Sequence, residues 1–533
     1  MEKSQNKDLQ VTQYKKVVKF LPKERWYGGN VVLGSILPIR AGKPYYINDY
    51  TNRLYNQSAP FYVSTKGRYV WCDSGMKVKV IANKIIFKSN KSEIYLHDGY
   101  HNLRNAYLEA SKRYFPANGN MPPETKFIKP QYCTWVELID NQNQKDIIDY
   151  AKSIVDKKMP VGELIIDDGW QNDFGDWSFK KETFPEPKKM IDELKSLGFS
   201  VSLWICPFVQ PGSIHENFLK ENDCLVKDSS GEYAIRKWWN GASYVLDLTN
   251  PDAVQWFKDQ CQSLIDEYGI DGFKQDAGDA FYYRDDDITF EPTSANEQSI
   301  NWARLAHTFK YNELRACWKC GGEGIAQRLS DKLHRWIRFV GLRSLVPNML
   351  ALGMIGHPYS CPDMIGGGME LDFAPGKKFD FQLIIRYAQC AALMPMMQYS
   401  KSFWNINSGI KPKFSSRKIT PEQTSQLCVA TASLHAKYQD YIIQLAKEAK
   451  DTCEPIIRYL EYQYPGEGLE NRIFDFALGD KYIVAPMVWK KKKRKVKLPK
   501  GKWLELNSNQ VYDGGKTYRI NNPLEILLVF EKQ

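Results

Sequence analysis

Nowhere in its 533 residues does the chain have about 18 consecutive apolar residues, the length a membrane-crossing helix needs. No transmembrane segment and no membrane partner is therefore expected. The first 20 residues, MEKSQNKDLQVTQYKKVVKF, lack the apolar centre of a secretory signal, and a cytoplasmic location is the expectation. Cysteine is thinly spread, with 11 residues between Cys72 and Cys453. An odd number without compact spacing excludes a disulfide framework and reads as reduced thiols. Histidine is scarcer still: 7 residues, scattered along the chain. Arg284-Asp285-Asp286-Asp287 lacks the spacing of a calcium loop. No metal and no cofactor is expected. Tandem repeats are absent, and so is low-complexity sequence apart from one basic run.

That run, KKKKRKVK (490–497), carries seven of the positive charges in a net balance of +11, so the rest of the chain is only mildly basic. Such a run can mark a nucleic-acid or nuclear-localisation patch. It also sits between the apolar YIVAPMVW (482–489) and VKLPKGKW, where lysines solvate a sheet edge and block edge-to-edge pairing. The second reading is favoured, and no nucleic-acid partner is expected.

What is present is an ordinary globular composition, 43% hydrophobic and 25% charged, which supplies ample material for a large core and excludes general disorder. Aromatics reach 13%, with 15 Trp and 31 Tyr, consistent with either sugar stacking or a β-rich core. Residues 1–125 read as an N-terminal β-sandwich-like domain, with alternating runs such as KVKVIANKIIFKS (77–89) and a closing helix over 101–115. The Pro/Gly-rich PANGNMPPETKFIKP (116–130) marks a joint. Beyond it, short apolar runs alternate with helical patterns: strands in QYCTWVEL (131–138), GELIIDD (162–168), FSVSLWICPF (199–208) and IDGFKQD (270–276), helices over 143–158, 186–198 and 252–269. This rhythm predicts a parallel sheet. Its persistence over 126–460 without a dinucleotide fingerprint favours a (β/α)8 TIM barrel. Cys317-Trp318-Lys319-Cys320, which has no second C-x-x-C for zinc and no thioredoxin pattern around it, reads as barrel packing. Strands return over 461–533 as a C-terminal β-domain.

Catalytic groups of a parallel barrel project from the C-terminal ends of its strands. Carboxylates recur there: Asp167 and Asp168, Asp276 and Asp279, Asp331, and Asp363 before three glycines, with Trp170, Trp204, Trp238 and Trp239 nearby. Any one of these acids could be a simple helix cap. Four strand ends showing the same pattern favour a carbohydrate site, where carboxylates bind hydroxyls and move protons while aromatic faces hold sugar rings. Lys274 lies two residues before Asp276 on one strand, so both side chains share a face, and its ammonium would keep Asp276 ionised.

The blocks WYGG (26–29), FYVSTKGRYVW (61–71), IDDGWQNDFGDWSFKKETFPEPKKMIDELKSLGFSVSLWICPF (166–208), RKWWNGASYVLDLTNPDAVQWF (236–257), DGFKQDAGD (271–279), GLRSLVPNMLALGMIGHPYSCPDMIGGG (341–368), AALMPMMQYSKSFW (391–404) and VKLPKGKWLELNSNQVYDGG (496–515) occur in an order that resembles glycoside hydrolase family 31. The resemblance is greatest to a galactosidase-like branch. It implies a retaining α-glycosidase barrel flanked by β-domains, acting on an oligosaccharide or small α-glycoside. It maps the nucleophile onto Asp276 and the acid/base onto Asp331 within Arg328-Leu329-Ser330-Asp331, with Asp363 as the rival. A raised pKa is expected for Asp331. Substrate-binding roles fall on Asp167, Asp168, Trp204, Lys274, Arg315 and Asp363, and on Trp238 and Trp239, of which one faces sugar and the other packs. The Arg-Asn-His segment of family α-glucosidases is replaced by Met396-Met397-Gln398-Tyr399-Ser400, which favours α-galactosidase activity over α-glucosidase. Other α-glycoside specificities on the same barrel, including N-acetylgalactosaminide and sulfoquinovoside, and a non-catalytic sugar-binding barrel are the alternatives.

Overall fold

The computed structural model describes residues 14–50, 55–406, 412–413 and 418–533. Residues 1–13, part of the polar stretch noted above, lie outside them.

Eight parallel strands form the central barrel: β1 (Gln131–Cys133), β2 (Glu163–Ile166), β3 (Ser200–Ile205), β4 (Gly272–Gln275), β5 (Tyr311–Leu314), β6 (Gln327–Arg328), β7 (Ser360–Cys361) and β8 (Gln398–Tyr399). They pair in chain order, and β8 pairs back with β1. The remaining gap, between β7 and β8, is bridged by the Ile365 N–H donating to the Gln398 carbonyl at 2.9 Å. The helices have clear local causes. The helix Pro251–Tyr268 starts at Asn250, whose side chain accepts from the Asp252 N–H, and stops at Gly269 in the left-handed region (φ 74°). The helix Gln144–Asp156 is capped in the same way by Asn143. β1 is shorter than its sequence suggests. The Val136 N–H is taken by Ser400 Oγ at 2.6 Å, and Trp135–Leu138 turns into one helical turn.

The barrel interior is polar rather than apolar. Glu163 on β2 accepts from Lys126 Nζ at 2.5 Å and from the Ser202 hydroxyl of β3. Glu313 on β5 accepts from Gln398 Nε2 at 2.8 Å and pairs with Arg328 Nε of β6 at 3.3 Å. Every one of these buried charges has a partner, without which burial would cost several kcal/mol.

Two antiparallel sheets precede the barrel, one of them containing Lys77–Ile81 and Lys84–Ser89, the other Gln57–Ser64, Tyr69–Cys72 and Ile94–His97. They meet through Phe87, whose ring lies 6.3 Å from Trp26 and 5.5 Å from Tyr62. The reading of Cys317–Cys320 as barrel packing is corrected here: Cys317–Trp318 leaves the barrel and pairs in parallel with Gln57–Ser58 of the second sheet. A six-stranded sheet beginning at Ile457–Arg458 and a two-stranded sheet follow the barrel. The basic run forms the strand Lys493–Lys497 against Thr517–Asn521. Arg494 and Val496 point inward, Arg494 pairing with Asp475, while Lys493 and Lys495 are exposed. All eleven cysteines are buried and unbridged. Among the described residues, no helix is long and apolar enough to cross a membrane.

Candidate active site

The C-terminal ends of the barrel strands converge on a cavity of about 960 Å³. Nine of the ten expected site residues line it: Asp167, Asp168, Trp204, Trp238, Trp239, Lys274, Asp276, Arg315 and Asp331. Asp363 does not.

Asp276 follows β4 directly. Its Oδ1 accepts from Arg315 Nε at 2.7 Å and from the Ala277 N–H at 2.8 Å, and its Oδ2 accepts from Trp204 Nε1 at 3.1 Å. Burial alone would push this carboxyl up. The charges of Arg315, Lys274 and Arg328 outweigh burial and hold it well below the usual carboxylate range. The sequence reading is corrected on the main cation. Arg315 from the end of β5 contacts Asp276, whereas Lys274 Nζ reaches across to Asp167 Oδ2 at 2.5 Å.

Asp167 is thus a buried partner of Lys274, and it also accepts from Cys133 Sγ at 2.9 Å. Asp168 differs. Its Oδ1 accepts from Gln171 Nε2 at 2.8 Å and its Oδ2 from Asn240. Burial raises its pKa to about 6, with the neighbouring Asp167 adding to the rise.

Asp331 lies beyond β6, its side chain 32% open toward the cavity, and accepts from Arg328 Nη1 at 2.7 Å. Burial pushes it up, but Arg328 and then Arg315 pull it below its usual value. The raised pKa expected for a proton carrier is therefore not found at Asp331. It appears at Asp363, pushed up to about 7 first by burial and then by Asp331. The expected substrate contact of Asp363 is corrected as well. This carboxylate is fully buried behind Asp331 and is occupied by the Lys332 N–H at 2.7 Å, the Gly368 N–H at 2.9 Å and Tyr387 OH at 3.2 Å. The glycines after it serve this packing: a Cβ on Gly368 would stand 2.7 Å from Asp363 Oδ1 and 2.8 Å from Asp331 Oδ1.

The two tryptophans of the hairpin Ile235–Trp238/Gly241–Val245 differ in their surroundings. Trp238 is wedged between Phe174 (4.6 Å) and Phe208 (4.4 Å), its Nε1 bonded to Ser243 Oγ at 3.0 Å. Trp239 is 48% exposed, and the Arg315 guanidinium sits 5.5 Å from its ring centroid. Trp239→Ala should therefore raise KM about tenfold, the worth of one good ring contact, with little change in Tm. Trp238→Ala should lower stability by about 3 kcal/mol through lost packing. Steady-state kinetics beside thermal melts separates the two, and the reverse pattern would exchange their roles.

Several lining residues escaped the sequence reading. Asn240 follows the two tryptophans directly, and no local pattern marks its bond to Asp168. Arg328 is three residues before Asp331, the only local hint that it could clamp that carboxylate. Tyr55 enters from the N-terminal sheets, and Trp135, Met369, Glu370 and Leu371 form the opposite rim. No spacing rule reaches such contacts. Among the described residues, no group of three or more His, Cys, Asp or Glu side chains is arranged to hold a metal ion.

Sugar rings need two kinds of surface, aromatic faces for their C–H sides and charged oxygens for their hydroxyls. A parallel barrel that presents both, with several carboxylates lining one cavity, has the make-up of a glycoside hydrolase. Residues 119–411 match the glycosyl hydrolases family 31 TIM-barrel domain, and residues 453–533 match the family's C-terminal domain. The chain belongs to glycoside hydrolase family 31. It is 32% identical to the myogenesis-regulating glycosidase of Mus musculus over 404 residues, 74% of this chain and 54% of that protein. It is 22% identical to an alpha-xylosidase of Lactiplantibacillus pentosus over 86% of this chain and 60% of the relative. The chain therefore spans little more than half the length of these relatives. A Flavobacterium johnsoniae GH31 dextranase complexed with glucose superposes with a TM-score of 0.79 at 20% identity, covering 98% of this chain and 66% of the dextranase.

Proposed function

We propose that the protein is a retaining exo-α-glycosidase whose preferred substrate is an α-galactoside, a small glycoside or oligosaccharide. One observation carries the reading: Asp276, held ionised by Arg315, and Asp331, open to solvent, face the same cavity. Asp276 attacks the anomeric carbon while Asp331 gives its proton to the departing glycosidic oxygen, leaving a glycosyl ester on Asp276. Asp331 then takes a proton from water, whose oxygen attacks the same carbon, breaks the ester and releases the sugar with its original configuration. Asp168 and Asn240 are placed to hold hydroxyls of the bound ring.

The galactoside preference rests on the similarity to the galactosidase-like branch and on the segment Met396–Ser400. None of its residues lines the cavity: Met396 and Met397 are buried, Gln398 is spent on Gln131 and Glu313, and Ser400 holds the Val136 N–H. No donor from this segment reaches the cavity, as the histidine of the α-glucosidase pattern would. A panel of aryl α-glycosides (galacto, gluco, N-acetylgalactosamino, sulfoquinovo) tests the reading. Fastest turnover is expected for the galactoside. Faster turnover of the glucoside would remove the galactosidase assignment while leaving the family, and no turnover of any would favour a non-catalytic sugar-binding barrel.

A further inference from the structure

Two residues of the N-terminal sheets reach under the cavity. Asn56 has left-handed backbone (φ 61°), which directs both its N–H and its side chain toward the barrel. Its N–H donates to Asp279 Oδ1 at 2.7 Å, and its Oδ1 accepts from Arg315 Nη1 at 3.2 Å. Arg315 Nη2 donates to Asp279 Oδ2 at 3.2 Å, and Nε donates to Asp276. Each of the three guanidinium nitrogens thus has its own acceptor, which fixes both the plane and the rotation of the group. The next residue, Gln57, is fully buried. Its Nε2 donates to the Arg328 carbonyl at 2.8 Å and to Gln327 Oε1 at 3.0 Å. Arg328 is the residue that holds Asp331. The pair is locked from the far side by the strand Cys317–Trp318, which lies parallel to Gln57–Ser58 just after Arg315 in sequence.

We infer that Asn56 and Gln57 are positioning residues for catalysis: they fix the two arginines that hold the proposed nucleophile and the proposed acid/base, so the N-terminal β-domain is a working part of the active site. The inference rests on the glycosidase reading above. One dipeptide from outside the barrel thus holds the guanidinium of Arg315 and the main chain of Arg328, behind two carboxylates on strand ends separated by β5.

Asn56→Gly removes the carboxamide, and with it the oxygen that holds Arg315, while glycine adopts the same left-handed backbone without strain and keeps the N–H to Asp279. Gln57→Leu removes the ties to Gln327 and Arg328 at nearly constant volume. For Asn56→Gly, kcat/KM on an aryl α-glycoside should fall about tenfold, and its acidic limb should move up by about one pH unit as Arg315 loosens from Asp276. For Gln57→Leu the basic limb should move up, as Arg328 loosens from Asp331. A merely structural role would lower Tm and the active fraction and leave both limbs in place. Asn56→Asp keeps an oxygen at the same position and should leave Arg315 on Asp276. Crystal structures of the Asn56 variants read the geometry without activity: Arg315 Nε should leave hydrogen-bond distance of Asp276 in Asn56→Gly and keep it in Asn56→Asp. An unmoved guanidinium in Asn56→Gly with unmoved limbs overturns the inference. If the unsubstituted protein turned over no glycoside, the functional reading would fall, and the crystal structures alone would decide the positioning.

Discussion

Asp276→Ala should abolish hydrolysis of α-glycosides, lowering kcat by about 10,000-fold or more, because the first covalent step has no other group to make it. The fold should survive, since Arg315 keeps Asp279 as a buried partner after Asp276 is removed. Azide added to this variant can occupy the vacated side and attack the anomeric carbon in place of the carboxylate. The product should be the β-glycosyl azide, inverted relative to the substrate. Thermal melts of the variant beside the parent check that the loss is chemical. A variant that keeps a tenth of its turnover would remove Asp276 from the nucleophile's role.

Asp331→Ala should cost about 100- to 10,000-fold on substrates whose leaving group needs a proton, and much less on a dinitrophenyl glycoside, whose leaving group does not. With azide this variant should yield the α-glycosyl azide, because the azide then attacks the glycosyl ester on the face from which the aglycone left. The pH dependence of the unsubstituted enzyme follows from the same residue. Arg328 and Arg315 together outweigh burial and hold the Asp331 carboxyl below its usual value, so its proton is lost on the acid side of neutrality. Above that point the protonated fraction falls tenfold per pH unit, and kcat/KM, which reports the free enzyme, should fall with it. An acidic optimum is therefore expected, with Asp276 still ionised there because Arg315 holds it well below the carboxylate range. A flat profile up to pH 7 with a basic limb above it would point to a group with a raised pKa and would shift attention to Asp363.

The parts of this site that the sequence showed are those governed by local periodicity. A short apolar run such as ELII, set between helical repeats, gives a parallel strand, and Asp167 and Asp168 just beyond it stand at the barrel mouth. The hidden parts depend on how strands stagger around a closed barrel. Lys274 and Asp276 do share a face, as alternation requires, but the lysine's long chain spans β3 to find Asp167 on β2, while Asp276 meets an arginine from the neighbouring β5. The chemical role of Asp331 calls for a raised pKa. A buried arginine three residues earlier reverses the sign, and only coordinates show that its guanidinium turns toward Asp331 and Asp363 together. The pairing of Cys317–Trp318 with Gln57–Ser58 joins residues 260 positions apart, and no local pattern encodes it.

The central claim is that Asp276 forms a covalent bond to the sugar. Incubation with a fluorinated α-galactosyl fluoride, which forms the glycosyl ester faster than water removes it, followed by mass spectrometry of the digested protein, tests it most directly. The account predicts one added fluorosugar per chain, carried on the peptide that contains Asp276 and absent from the Asp276→Ala variant. A label on another carboxylate, or turnover of the corresponding aryl α-galactoside with no covalent species at all, would contradict it.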